Sequence, residues 1–268
     1  MSRISGVLDD LLHKKKKALV TFITAGDPAV ECTVPALNAL VKGGADLLEL
    51  GIPFSDPEAE GPSIQASSER GLAQGVTLAK VLGLIGEFRK TNSSTPIILM
   101  GYLNSVLAMG IQNFANRASE LGVDGVIMVN LPPEESEDLS LALSAREIDL
   151  IFLIAPTTTR ERALRIAEKA SGFIYYVSLK GITGADHLDI SSIASDISWL
   201  RDSVDFPVLV GFGIKSAETA AEVASYSDGV VIGSMLVELM NRYSNSVDEM
   251  CEQLFVETQK LRDAIDAN

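Results

Sequence analysis

"LLELGIPFSDPEAEGPSIQ", residues 47–65, begins as an apolar run and ends as a loop crowded with acids. Glu49 interrupts the run, and Asp56, Glu58 and Glu60 follow on a turn stiffened by Pro53, Pro57 and Pro62. Alternation along an extended strand puts Leu47 and Glu49 on one face, Leu48 and Leu50 on the other. So short and apolar a run is expected of a strand buried on both faces, as in a parallel sheet. Ser55-Asp56-Pro57 has turn chemistry, and Gly61-Pro62 announces a helix with proline in its first turn. The stretch therefore reads as strand, loop and helix, one unit of a β/α repeat.

That unit recurs in both directions. Apolar runs at 18–24, 45–50, 96–102, 124–129, 149–154, 172–178, 207–212 and 228–234 make eight candidate strands. Segments with helical spacing lie between them. In residues 29–44, Val30, Val34, Leu37, Leu40 and Val41 share one face, and Gly43-Gly44 ends the helix. The final segment, 236–266, is long and amphipathic. Eight strands alternating with helices predict an α/β chain folded as a (β/α)8 barrel, one domain over residues 1–268, with residues 2–13 as an extra helix closing the barrel floor. An open doubly wound sheet would carry a nucleotide-binding glycine fingerprint, which is absent.

Composition narrows the function. The chain has 268 residues, 47% of them hydrophobic, and 22 basic against 36 acidic side chains, for a net charge of −14. Such a surface argues against nucleic acid. It also repels a phosphorylated substrate at long range, so a phosphate site must rely on local donors. Cys32 and Cys251 suggest no disulfide framework and no metal cluster. The N-terminus lacks signal-peptide order and no apolar stretch has membrane-spanning length, so a cytoplasmic setting is expected. Lys14–Lys17 is expected to be solvated charge at a helix end.

In a barrel of this kind, chemistry gathers where strands end and βα loops begin. Glu49 lies at such an end. Facing inward among apolar side chains, it would have its pKa raised towards neutrality, as a general acid–base requires. The stiff loop after it can aim Glu60 or Asp56 back into the mouth, with Glu58 left in solvent. Glycine-rich loops follow the last three strands. Gly211 and Gly213 would let backbone amides approach an anion, and Gly233 and Ser234 open the next helix, which suggests a phosphate site. The loop "KGITG" could form a lid. Phe22, Tyr175 and Phe212 at strand ends could form a flat apolar slot. His13 and His187 have no nucleophile motif around them.

Taken together, "TFITAGDP", "LLELGIPFSDPEAEGPSIQ", "ILMGYLNSV", "LPPEE", "YYVSLKGITGA", "LVGFGIK" and "DGVVIGS" resemble the tryptophan synthase alpha subunit family from end to end. The resemblance implies a lyase that cleaves indole-3-glycerol phosphate to indole and glyceraldehyde 3-phosphate in a retro-aldol reaction. It implies a beta subunit partner in an alpha2beta2 assembly, with pyridoxal phosphate in the partner and no cofactor in this chain. By the same resemblance Glu49 is the acid–base carboxylate and Glu60 the second catalytic acid. Tyr175, Thr183 and Gly184, with Gly213, Gly233 and Ser234, hold substrate or its phosphate. Phe22 and Phe212 flank the indole, while Asp56 and Pro57 meet the partner. Three departures stand out. Glu60 and Asn130 occupy places where the family usually has Asp, and Leu179-Lys180 replace an Arg-based pair. A subunit that mainly activates its partner, or a stand-alone indole-releasing lyase, are the alternatives.

Overall fold

The computed structural model describes residues 2–177, 190–211 and 213–267. Its strands are β1 (Ala18–Thr24), β2 (Leu47–Gly51), β3 (Ile97–Gly101), β4 (Gly125–Met128), β5 (Asp149–Ile154), β6 (Ile174–Val177), β7 (Val208–Gly211) and β8 (Gly229–Ile232). All pair in parallel and in chain order, and β8 returns to β1 to close a barrel. The α-helices among the described residues are α1 (Arg3–His13), α2 (Thr33–Lys42), α3 (Pro62–Ala73), α4 (Leu78–Arg89), α5 (Leu103–Met109), α6 (Ile111–Glu120), α7 (Glu137–Ser144), α8 (Arg160–Ala167), α9 (Ile190–Ser203), α10 (Ala217–Tyr226), α11 (Ser234–Arg242) and α12 (Val247–Asp266). The expected (β/α)8 barrel with an added N-terminal helix is the architecture observed.

Alternation along the strands sorts the core into two layers. Val20, Leu47, Ile98, Ile127, Ile151, Leu209 and Val231 point into the barrel. Leu19, Leu48, Leu50, Leu99, Val126, Val210 and Val230 point outward, against the helices. Each such residue contributes roughly 1.5–3 kcal/mol by leaving water. Helix α1 plugs the floor with buried Ile4, Leu8 and Leu11, which join the inner cluster.

The floor also explains why most strands start one or two residues later than the apolar runs suggest. Asp46, Asp124 and Asp228 precede β2, β4 and β8, and each carboxylate accepts an amide at the start of the neighbouring strand. Leu19 N–H donates to Asp46 (2.8 Å), Ile97 N–H to Asp124 (2.8 Å) and Val208 N–H to Asp228 (2.9 Å). Cations reinforce them: Arg262 binds Asp46 (2.9 Å), Arg3 and Arg89 bind Asp124 (2.5 and 2.6 Å), and Arg201 binds Asp228 (2.8 Å). Ser2 donates to Asp149 at 2.6 Å, which fastens the start of α1 to β5.

Three expectations about helices are corrected. Residues 29–44 do not form one helix. A 3-10 turn, Val30–Cys32, precedes α2, because Pro35 has no N–H to give and belongs in a first turn. Helix α5 was not expected; seven residues are too few to show a period. The last segment is two helices, divided before Ser246, whose hydroxyl accepts Glu249 N–H (3.3 Å) as the cap of α12. The lysine run is only partly solvated. Lys16 pairs with Asp266 (2.8 Å), and Lys17 donates to Ser227 C=O (2.6 Å) on the floor.

Candidate active site

The carboxyl ends of the strands open onto a cavity of ≈ 370 Å³. Phe22 from β1, Glu49 from β2, Met100 from β3, Tyr175 from β6 and Val231 from β8 line its depth, and Glu60 lines its wall.

Glu49 is paired in register with Phe22 and Ile98, both members of the inner cluster, so it faces the barrel interior as alternation requires. It is fully buried, and among the described residues neither carboxyl oxygen has a hydrogen-bond partner. An ionised carboxylate there gives up hydration and receives nothing in exchange. Burial, followed by the charge of nearby Glu60, raises its pKa to about 8. Glu60 is 8% exposed, and burial raises its pKa to about 7. Burial and these two carboxyls push the phenol of Tyr175 well above 10.

The loop that carries Glu60 is held at several points. Ala59 N–H donates to the Tyr102 hydroxyl (3.0 Å), and the Tyr102 ring stacks on Phe54 with centroids 4.6 Å apart. Glu60 N–H donates to Pro57 C=O (3.0 Å), and Gln65 Nε2 donates to Glu60 C=O (2.8 Å). Helix α3, which starts just after Glu60, is clamped to the loop following β1. Asp27, fully buried, accepts two bonds from Arg70 (2.6 and 3.0 Å), and Thr24 and Ser67 share one at 2.6 Å. Of the acids in the loop, only Glu60 turns inward. Asp56 and Glu58 are exposed, and Pro57 is half-buried.

Two glycines make room for the aromatic walls. A Cβ on Gly51 would lie 2.6 Å from the Phe22 ring, and one on Gly211 would lie 2.2 Å from the Tyr175 hydroxyl. Gly211 therefore serves the aromatic slot, rather than bringing an amide to an anion as the sequence suggested. Gly213 does line the cavity, in the left-handed conformation (φ 76°) that favours glycine. Gly233 caps α11 and Ser234 begins it, and both line the cavity too. The free amides and positive dipole end of α11 thus face the space beside Gly213, an arrangement suited to an anion.

Thr183, Gly184 and Phe212 lie outside the described residues, as do Leu179, Lys180, His187 and the expected lid. His13 is on the floor, its ring Nδ1 bonded to Asp9 C=O (2.8 Å), far from the mouth. Asn130 accepts Leu103 N–H at the start of α5 (2.8 Å) and donates to Asn104 Oδ1 (3.1 Å). The lining residues that the sequence did not single out include Met100, Ser63, Lys215 and Glu238. Ser63 donates to Glu238 at 2.5 Å across the rim, from α3 to α11. Met100 was open to detection, two residues beyond inward Ile98. Among the described residues no cluster of His, Cys, Asp and Glu is placed to hold a metal, and no helix is long and apolar enough to cross a membrane.

The chain matches the family model described as "Tryptophan synthase alpha chain" over residues 8–266. It is 47% identical to the tryptophan synthase alpha chain of Marinobacter nauticus over 267 residues, covering 100% of this chain and 99% of that one. Tryptophan synthase subunit alpha from Legionella pneumophila str. Paris superposes with a TM-score of 0.94, at 41% identity and 100% coverage of both chains. A chain of tryptophan synthase from M. tuberculosis, in an aminoacrylate-bound form, gives 0.87 at 30% identity, covering 99% of this chain and 100% of that one.

Proposed function

The chain belongs to the tryptophan synthase alpha chain family, the lyase subunits that cleave indole-3-glycerol phosphate, and we propose that Glu49 and Glu60 carry the proton transfers of that reaction here. The observation that carries the assignment is the pair of unpartnered oxygens on fully buried Glu49, facing a cavity shared with Glu60 and the start of α11.

Cleavage requires the indole ring to become an electron sink. A proton is added at ring C3 and the N–H proton is released, giving an indolenine-like ring. The glycerol hydroxyl next to the ring then loses its proton, the C–C bond breaks, its electrons return to the ring, and the ring nitrogen regains a proton. The products are indole and glyceraldehyde 3-phosphate, with no net gain or loss of protons. A carboxyl near neutrality can both give and take protons, and Glu49 fits this role. Glu60 accepts the ring N–H and steadies the charge that develops there. Phe22, Tyr175 and Met100 form the apolar slot for the ring. Gly213, Gly233 and Ser234 hold the phosphate, so that binding energy remote from the reacting bond positions the substrate. Thr183, Gly184 and Phe212 are assigned to the same pocket by resemblance.

We place a beta subunit against the rim formed by Asp56 and Pro57, in an alpha2beta2 assembly with pyridoxal phosphate in the partner. The acid–base steps assigned here use only this chain's side chains. A cytoplasmic, reducing setting accords with the free thiols of Cys32 and Cys251.

Purified chain incubated with indole-3-glycerol phosphate, with and without beta subunit, tests the reading. Indole release that rises when the partner is added, and collapses in Glu49→Gln, is expected. No indole in either state, alongside stimulation of the partner, would make the chain a regulatory subunit.

A further inference from the structure

The cavity lining carries an unusual charge set. Among the described lining residues there are three carboxyls, Glu49, Glu60 and Glu238, and one ammonium, Lys215. Lys215 stands two residues beyond Gly213, in the loop after β7, and is exposed. It makes no ion pair among the described residues. Glu238 lies on the rim, one turn into α11 from Ser234, and is fixed there by Ser63. Glu49 and Glu60 are buried in the depth and wall of the cavity, whereas Lys215 and Glu238 are exposed, so these two are the charges that a dianion entering the mouth meets first.

We propose that Lys215 is a binding residue for the substrate's phosphate, and that Glu238 opposes it from the facing rim. The inference rests on the reading that this cavity takes a phosphorylated indole. Three observations support it. The chain carries a net charge of −14, so a phosphate ester approaches against a repulsive field and gains from a local cation. The residues at Gly213 and at the start of α11 line the same cavity as Lys215. Fully buried Glu49, with both oxygens unpartnered, marks this cavity as built for a ligand. Lys215 acts as a point charge on a flexible stem, whereas the amides supply direction. Glu238 limits the affinity and so favours product release.

Glycerol 3-phosphate is a suitable probe, because its binding requires no turnover. Calorimetry on the full chain at low ionic strength should show Kd rising about 3- to 10-fold in Lys215→Met. Lys215→Arg should stay within about twofold of wild type, and Glu238→Gln should bind roughly two- to threefold tighter. At ~1 M salt, where the screening length is ~3 Å, the Lys215→Met difference should shrink to within about twofold. Equal Kd for wild type and Lys215→Met at low salt, or weaker binding by Glu238→Gln, overturns the proposal. Absence of probe binding by the wild type overturns it too. Indole release by the same preparations shows separately whether the lyase reading falls with it.

Discussion

The floor and the mouth of this barrel both bury carboxyls, and they treat them in opposite ways. Asp124 on the floor is 4% exposed and is met by Arg3, Arg89 and the Ile97 amide. Glu49 at the mouth is fully buried, and among the described residues neither of its oxygens has a hydrogen-bond partner. A partnered buried acid holds secondary structure in place, and its removal leaves cations and amides unmatched. An unpartnered one weakens the fold, and here it accompanies a cavity, a second raised carboxyl and a helix N-terminus. The contrast indicates that burial alone does not tell structural from chemical acids. The partners do.

Substitution at each end should separate the two roles. Glu49→Gln keeps the shape and removes the titration, so indole release should fall by about 10²–10⁴-fold while the circular dichroism spectrum is unchanged. Activity within a fewfold of wild type would erase the distinction. Asp124→Asn should do the reverse, costing about 3–5 kcal/mol in denaturant unfolding while the folded enzyme keeps kcat within about twofold. A large loss of kcat with no loss of stability would place chemistry on the floor. Glu60→Gln should lower kcat by roughly 10–10²-fold, because it keeps a hydrogen-bonding group near the ring N–H but loses the charge.

The smallest effect concerns stability against pH. The folded-state pKa of Glu49 is raised from 4.5 to about 8. Its stabilising contribution as the protonated form is therefore full below about 4.5 and is lost as pH rises through about 8. Glu49→Gln has no such loss. Its Tm should match wild type near the acid end of that window and exceed it at the alkaline end, by about 2–4 °C for each kcal/mol of the contribution lost. A constant difference between the two proteins across the window would mean that Glu49 titrates as an ordinary surface acid.

Much of the barrel was legible because buried parallel strands are continuous apolar runs, and eight of them alternate with helices. Period two placed Leu47 and Glu49 on one face and Leu48 and Leu50 on the other but left open which face looked inward, and the register with Phe22 and Ile98 decides it. Strand starts were misjudged because Asp46, Asp124 and Asp228 adjoin the apolar runs, while their carboxylates take the amides of neighbouring strands. The direction of Glu60 was only half legible. A loop has no period, and nothing local to residues 53–60 shows that the Tyr102 hydroxyl and Gln65 fix its exit. Lys215 and Glu238 were overlooked because they sit in different units of the repeat and line one cavity only when the barrel closes. Gly211 was misassigned for a related reason: the phenol it accommodates comes from the neighbouring strand.

The most direct test is the protonation state of Glu49 itself. Infrared difference spectra between wild type and Glu49→Gln, recorded across pH, isolate its carboxyl stretch. The protonated band should persist through neutrality and disappear around pH 8. Its disappearance near pH 4.5 would show a solvated or partnered carboxylate, and would contradict the assignment of the barrel mouth as the seat of proton transfer.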